Sequence, residues 1–388
     1  VADDVTFRSE VRHALQQRLA TRADRAVPSV LGAGSDDLDA GRRFLGVLAD
    51  GGLGAPTWPA EYGGMGATPE QAAIVNEELA AFDRPDLYPF MVGISLVGPT
   101  LLTHGTDAQK DRWLPAIRSG EEIWCQLFSE PDAGSDLAGL RCRAVRDGER
   151  WLVTGTKVWS SRAHYSRWGL LLARTDWSVS KHAGITAFAL DMTAPGVDVR
   201  PLRQMNGDTH FNEVFLTDAP VDDACRIGDE GEGWKVAITT LMHERSSIGG
   251  GWGVSRDQVA ALARGTGVGP VQRDRLAAVL ADLEVARLTG ARAKAAAQAG
   301  RAPGPEGSGG KLRMSATLKD LGALALDVAG PSGVVSGLGQ DDWQTLFLTG
   351  PSLSIRGGTD EIQRNILGER VLGLPREPRP DEKGPFTG

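Results

Sequence analysis

The chain divides by the period of its apolar residues. Phe7, Val11, Leu15 and Leu19 recur every four residues, with Ala14 beside them, and mark one face of an amphipathic helix. A second helical stretch carries Leu38, Leu45 and Leu48 and stops at Gly51-Gly52. Thr68-Pro69-Glu70-Gln71 sets an N-cap hydroxyl, a proline at the first helical position and a glutamine at the third before a run to Leu79. From residue 122 the period shortens. Apolar runs at 123–128, 151–153, 168–173, 185–190 and 214–216 alternate with Gly, Pro, Asp and Asn turns, the pattern of short antiparallel strands. Helical spacing returns at Leu276, Val279, Leu280, Leu283 and Ala286, and again at Met314, Leu318, Leu321, Ala325 and Val328. Residues 300–310 between these helices read as a mobile connection, and the tail from Pro375 as a poorly packed extension. The layout is α+β: a helical domain over 1–121, a β-domain over 122–225, a second helical domain over 226–378 and a tail over 379–388.

Composition narrows the function. The 388 residues, 41% of them apolar, can bury more than one core. A net charge of −8 argues against a nucleic-acid surface, which wants a basic face. The three cysteines, Cys125, Cys142 and Cys225, form no CxxC and no Cys/His cluster, so neither a metal site nor a disulfide framework is expected. No apolar run reaches the roughly 18 residues of a membrane span, and the first residues lack the apolar core of a secretory signal. A cytoplasmic location, with no membrane partner, is the default expectation.

Three stretches carry candidate chemistry. Phe128-Ser129-Glu130-Pro131-Asp132-Ala133-Gly134-Ser135-Asp136 follows a predicted strand and makes a tight loop of outward amides and hydroxyls, suited to a polar cofactor edge. Gly155-Thr156-Lys157-Val158-Trp159-Ser160-Ser161 sets a flat indole beside hydroxyl groups, as an isoalloxazine ring would require. Taken singly, the two are more simply a pair of β-turns around a core tryptophan. The third, Arg356-Gly357-Gly358-Thr359-Asp360-Glu361-Ile362-Gln363-Arg364-Asn365-Ile366, opens a helix from a glycine-rich loop.

With these three runs, residues 58–66 and residues 105–115 in the same order, the chain resembles the acyl-CoA dehydrogenases over nearly its whole length. The resemblance implies an N-terminal helical domain, a middle antiparallel β-domain and a C-terminal four-helix bundle. It implies FAD between β-domain and bundle, partly at a subunit interface of a homo- or hetero-oligomer, dimer or tetramer. An acyl-CoA would be the substrate, and an electron-transfer flavoprotein the acceptor. Carried over by position, Phe128 and Ser129 would contact the flavin edge, and Ser135 the FAD pyrophosphate or the pantetheine arm. Trp159 would stand beside the ring, and Ser161 would reach its N5 side. Thr359 and Glu361 would meet the nucleotide portion. Gln126, where some members carry an aromatic residue, joins this cofactor set.

The reaction needs a carboxylate to take the α-proton while a hydride leaves the β-carbon. Many family members place that base just before the Gly-Thr of the C-terminal loop, where this chain has Gly357, which cannot serve. A second family position lies on the first helix of the bundle. There the chain reads Leu241-Met242-His243-Glu244-Arg245, as in the isovaleryl- and long-chain-type enzymes. The spacing agrees: Gly233, Ala237, Thr240, Leu241, Glu244 and Ile248 share a helix face, and a carboxylate drawn out of water there is a stronger base. The plainer alternatives are an ion pair with Arg245 or a glutamate turned to solvent. Arg245 matches an arginine the family uses near acyl-CoA and flavin. His243 points about 100° away from Glu244 and reads as structural.

Two departures from the family stand out. No Arg-x-x-Phe-Gly motif occurs at residues 265–270, and 330–333 read Gly-Pro-Ser-Gly where Gly-Gly-x-Gly is usual. They suggest weaker FAD binding, or a nucleotide end supplied by another chain, as in the α2β2 bacterial members. The alternatives are therefore a half-site or non-catalytic subunit of a heteromer, and a related flavin-dependent oxidase or dehydrogenase of carrier-bound acyl groups. Gly357, with no side chain, leaves room for branched or cyclic acyl groups.

Overall fold

A computed structural model describes residues 2–21, 36–248, 253–265, 268–298, 304–335, 337, 341–376, 378 and 384–386. The N-terminal part holds α1 (Ala2–Gln16), α2 (Leu38–Ala49), α3 (Pro69–Leu79), α4 (Tyr88–Met91), α5 (Gly98–His104) and α6 (Asp107–Arg118), with a π-helical turn, Val92–Val97, joining α4 to α5. The four-residue repeat does its work: Val11 and Leu15 of α1 pack with Phe44, Leu48, Val75, Leu79 and Phe82, and Phe7, Ala14 and Leu19 flank them. The capping box forms on α3, Thr68 Oγ1 accepting from the Gln71 N–H while Gln71 accepts from the Thr68 N–H. Thr106 and Gln109 repeat it on α6. Trp58 is buried and lies so close to Gly98 that a Cβ there would sit 2.0 Å from Cζ2 of the indole.

The middle part is one sheet of β1 (Trp124–Leu127), β2 (Arg143–Asp147), β3 (Arg150–Ser161), β4 (Trp168–Arg174), β5 (Ile185–Asp191), β6 (Val197–Leu202), β7 (Phe211–Asp222) and β8 (Arg226–Ile227). The strand order is β6-β7-β3-β2-β4-β5-β8, with β1 also paired to β4. The expected antiparallel pairing holds for β2–β3, β3–β7, β4–β5, β5–β8 and β6–β7 but not along one flank of β4. β1 runs parallel to β4, Trp124 opposite Trp168, and β2 meets β4 in parallel at Arg143 and Arg174. The physical reason is connectivity: β1 reaches β4 only through the 128–142 loop and the β2–β3 hairpin, too long a path to behave as a hairpin. Strand β2 escaped the sequence pattern because it is largely polar and exposed, and β6 has none of its residues fully buried. Along the fully buried β4 and β5, alternate residues serve two cores. Leu170, Leu172, Ile185, Ala187 and Ala189 face the N-terminal helices, whereas Leu171, Ala173, Phe188 and Leu190 face β3 and β7.

Helices α7 (Gly233–Ile248), α8 (Arg256–Ala263), α9 (Pro270–Gln298), α10 (Gly307–Ala329), α11 (Asp341–Thr349) and α12 (Asp360–Ile366) complete the chain. α9 and α10 lie antiparallel, as Arg275–Asp320 and Asp282–Arg313 contacts require, over a core of Leu276, Val279, Leu283, Met314, Leu318, Leu321 and Leu346. Two sequence expectations change here. Of the connection at 300–310, residues 300–303 lie outside the described residues, and 307–310 form the first turn of α10. The tail is also not simply loose: Phe386 donates its N–H to the Val179 carbonyl and lays its ring over the Arg174 guanidinium at 3.9 Å. No described helix is long and apolar enough to cross a membrane, and no described group of three His, Cys, Asp or Glu could hold a metal.

Candidate active site

The end of β1 delivers the 128–136 loop. Phe128 is buried, Ser129 and Gln126 are half-buried, and Pro131, Asp132, Gly134, Ser135 and Asp136 are exposed. Glu130 and Ala133 exchange backbone hydrogen bonds of 3.0 and 3.1 Å, closing a tight turn that holds the polar residues outward. The Ser129 carbonyl accepts from the Val158 N–H at 2.9 Å, so the loop is tied to β3. Beneath it lies Lys157, with no exposed surface, whose Nζ donates to the Phe128 carbonyl at 3.0 Å and to Glu130 Oε1 at 2.7 Å.

β3 carries the second element of the site. Lys157 faces Val214 and Ser160 faces Asn212, so Val158 and Trp159 together oppose one residue of β7, a β-bulge. Residues two apart on a strand share a face, and without the bulge Trp159 would follow Lys157 into the core. Instead it stands 60% exposed at φ 61°, its ring edge-on to Phe211 at 5.9 Å. Exposure of an indole and a left-handed backbone are both costly in isolation, and strain of this kind gathers at ligand sites. Ser161, half-buried, pairs with Phe211 at the strand end. Behind this strand Ser160 Oγ, Asn212 Nδ2 and Arg162 Nη1 are buried with no hydrogen-bond partner among the described residues, while Arg162 Nε donates to Asp36 and its guanidinium lies over Tyr88. Lys157 and Arg162 were not singled out from the sequence; the only signal was a cation at each end of the Val158–Ser161 run.

The candidate base sits on α7. Val236, Ala237 and Thr240 are buried, and Thr240 Oγ1 lies 2.9 Å from Thr100 Oγ1 of α5. His104 Nε2 meets Thr239 Oγ1 at 2.8 Å, a second tie between the two helices. Glu244 falls one turn beyond Thr240 on the same face and is half-buried. His243 is half-buried too, and burial holds its imidazole below the usual histidine value. The side chains of Arg245 and Ile248 lie outside the described residues, as do Thr266 and Gly267.

In the C-terminal loop Gly357 and Gly358 adopt φ of 66° and 86°, which favour glycine, and Gln363 Nε2 donates to the Gly357 carbonyl at 3.0 Å. Thr359 caps α12, its Oγ1 accepting from the Ile362 N–H at 3.2 Å, which leaves the hydroxyl proton free to donate elsewhere. Glu361 is exposed and pairs with Arg364. Residues 330–333 belong to a 3-10 turn, Gly330–Val334. A separate groove of about 860 Å3 opens where α6 and α7 meet the 223–229 turn, and its walls include Arg112, Arg226 and Lys235. These cations pair with Glu122, Asp223 and Glu232, and none of the residues expected at flavin or base lines the groove.

An exposed indole raised on a bulge, bonded through Val158 to a loop of outward hydroxyls and amides, suits a flat, polar-edged ligand such as a flavin. Helix, sheet and helix in this order, with that surface, match the layout expected of a flavoprotein-type oxidoreductase. Comparison with known proteins makes the assignment specific. The family models for the acyl-CoA dehydrogenase N-terminal, middle and C-terminal domains match residues 2–121, 125–219 and 231–372. The chain is 40% identical over 380 residues to acyl-CoA dehydrogenase IpdE1 of Mycobacterium tuberculosis, covering 96% of this chain and 98% of that one. It is 42% identical over 334 residues to acyl-CoA dehydrogenase FadE34 of the same organism, covering 85% of this chain but only 46% of that longer relative. Among solved structures, the Tcur3481-Tcur3483 steroid ACAD superposes with TM-score 0.79 at 29% identity, covering 97% of this chain and 99% of that one. The ChsE4-ChsE5 complex from Mycobacterium tuberculosis gives 0.73 at 28%, with the same coverage. The chain belongs to the acyl-CoA dehydrogenase family, FAD-dependent oxidoreductases of lipid metabolism.

Proposed function

We propose that this chain binds FAD and dehydrogenates a bulky, steroid-type acyl-CoA between its α- and β-carbons, with Glu244 as the base. The observation that carries the reading is the half-buried Glu244 on a helix pinned one turn earlier, in a family member with Gly357 at the other base position. Glu244 takes the α-proton at its carboxylate, and hydrogen-bond donors around the thioester oxygen stabilise the charge that develops. FAD, when bound, supplies the acceptor for the β-hydride. Phe128, Ser129, Trp159 and Ser161 hold its ring, Gln126 and Ser135 border it, and Thr359 and Glu361 hold its nucleotide end. Ser135 also lies at the pantetheine arm, and Arg245 binds the acyl-CoA. An electron-transfer flavoprotein receives the electrons. The steroid-type substrate rests on the solved steroid ACAD relative and on the side chain missing at Gly357.

The test is a visible spectrum of the purified protein, titrated without oxygen against straight-chain, branched and polycyclic acyl-CoAs. A yellow protein bleached most readily by the polycyclic thioester is expected. A flavin-loaded protein bleached best by straight chains refutes the substrate class, and one bleached by none refutes the activity.

The missing Arg-x-x-Phe-Gly motif favours a second reading, a half-site subunit that completes its FAD site with a homologous chain, and relatives solved as two-component complexes accord with it. Protein that is colourless alone and yellow when co-expressed with such a partner would select it. Oxygen consumption without an electron-transfer flavoprotein would instead identify an oxidase.

A further inference from the structure

We propose that the buried Lys157–Glu130 pair is a positioning device that orients the Phe128–Ser129 peptide toward FAD, an inference that rests on the flavin reading above. Lys157 has no exposed surface and Glu130 is 8% exposed. The Glu130 carboxylate accepts from Lys157 at 2.7 Å, from the Arg141 N–H at 2.7 Å and from the Cys142 N–H at 2.9 Å. Lys157 spends a second proton on the Phe128 carbonyl at 3.0 Å. One charge pair thus joins the start of the loop, its far end some twelve residues on, and the strand position just before the bulge that lifts Trp159.

Stability alone is a poor reason for such a pair. Taking two charges out of water costs several kcal/mol per ion, about as much as their attraction returns, and an apolar pair of similar volume is often as stable. What an apolar pair cannot do is choose the direction of a peptide. None of the described peptide bonds is cis. In a trans peptide the carbonyl and the following N–H point opposite ways. With the Phe128 carbonyl drawn inward by Lys157, the Ser129 N–H is turned outward, away from the strand core. The Ser129 carbonyl is fixed separately by Val158. The two anchors leave the Ser129 N–H as a donor in a set orientation on the edge of the site, with the energetic advantage of prior ordering.

The experiment compares Lys157→Met, Glu130→Gln and the double variant of the full chain. Each single change strands a buried charge or donor and lowers the melting temperature of the FAD-free protein. The double change removes both charges at nearly constant volume and recovers part of that melting temperature, the remainder being lost because a glutamine amide has one acceptor oxygen for the Arg141 and Cys142 N–H groups. If the pair orients the peptide, the double variant still binds FAD about tenfold more weakly, the worth of one well-aimed hydrogen bond, and its flavin band is shifted. Its 126–136 segment also exchanges amide hydrogens faster in the FAD-free chain, while β5 and β7 do not. Recovery of wild-type FAD affinity and spectrum in the double variant overturns the proposal, because only a structural pair would behave so. A wild-type chain that takes up no FAD, either alone or co-expressed with a homologous partner, overturns the flavin reading instead; the exchange measurement then decides the clamp, and unchanged exchange at 126–136 refutes it.

Discussion

Glu244→Gln tests the chemistry most directly. Glutamine keeps the length and planarity of the side chain and removes its charge and its basicity. The helix beneath is held one turn earlier by Thr240 against Thr100 at 2.9 Å and by Thr239 against His104 at 2.8 Å, so the backbone has little reason to move. A positioned general base contributes about 10²–10⁴ in rate, or roughly 3–5 kcal/mol of barrier. Glu244 is half-buried, so water replaces it poorly, and the loss should be about 10³-fold or more. Two assays separate the steps. Single-turnover bleaching of the flavin reads the whole oxidation, and exchange of the α-proton into deuterated solvent reads the base alone. Both should fall together. Thr240→Val serves as the control: it loses a buried hydroxyl contact worth about 1 kcal/mol of stability and should slow bleaching only a few-fold. If Glu244→Gln retains bleaching within about threefold of wild type, the base is elsewhere and the mechanism fails.

Three further outcomes follow from packing and charge. Gly98→Ala would place its Cβ 2.0 Å from Trp58 Cζ2, and the overpacking should cost about 1–3 kcal/mol in urea denaturation; an unchanged midpoint would refute the close contact. Glu78 accepts from Arg12 at 2.7 Å and from Arg8 at 2.8 Å, and the Arg12 contact first, opposed by burial and aided by Arg8, holds its carboxyl below the usual range. Because the folded value lies below the unfolded one, this contribution is complete above about pH 4.3 and is lost as pH falls through the folded value. Proteolysis of α1 should therefore rise on acidification, and Glu78→Gln should make it nearly independent of pH in that range. Burial lowers Arg174 to about 10, and the Phe386 ring covers its guanidinium. Phe386→Ala should lower the melting temperature by the equivalent of about 0.5–2 kcal/mol, and no change would show that the tail does not dock in solution.

The sequence by itself determined what depends on near neighbours. Phe7 to Leu15 made a helix face, Thr68 capped α3 through a residue three positions on, and Gly51-Gly52 followed the end of α2, because caps and periodicity act within a turn or two. The order of helical, β and helical zones followed from the same local signals, and the runs around Ser129, Trp159 and Thr359 carried the family because their order along the chain is itself information. Tertiary structure decided what joins distant positions. The parallel entry of β1 beside β4, the bulge that turns Trp159 outward, the 27-residue reach from Lys157 to Glu130 and the return of Phe386 to Arg174 all depend on which segments meet. No short window encodes such meetings: a lysine within an apolar strand looks like an error until the carboxylate and carbonyl that receive its protons are brought to it.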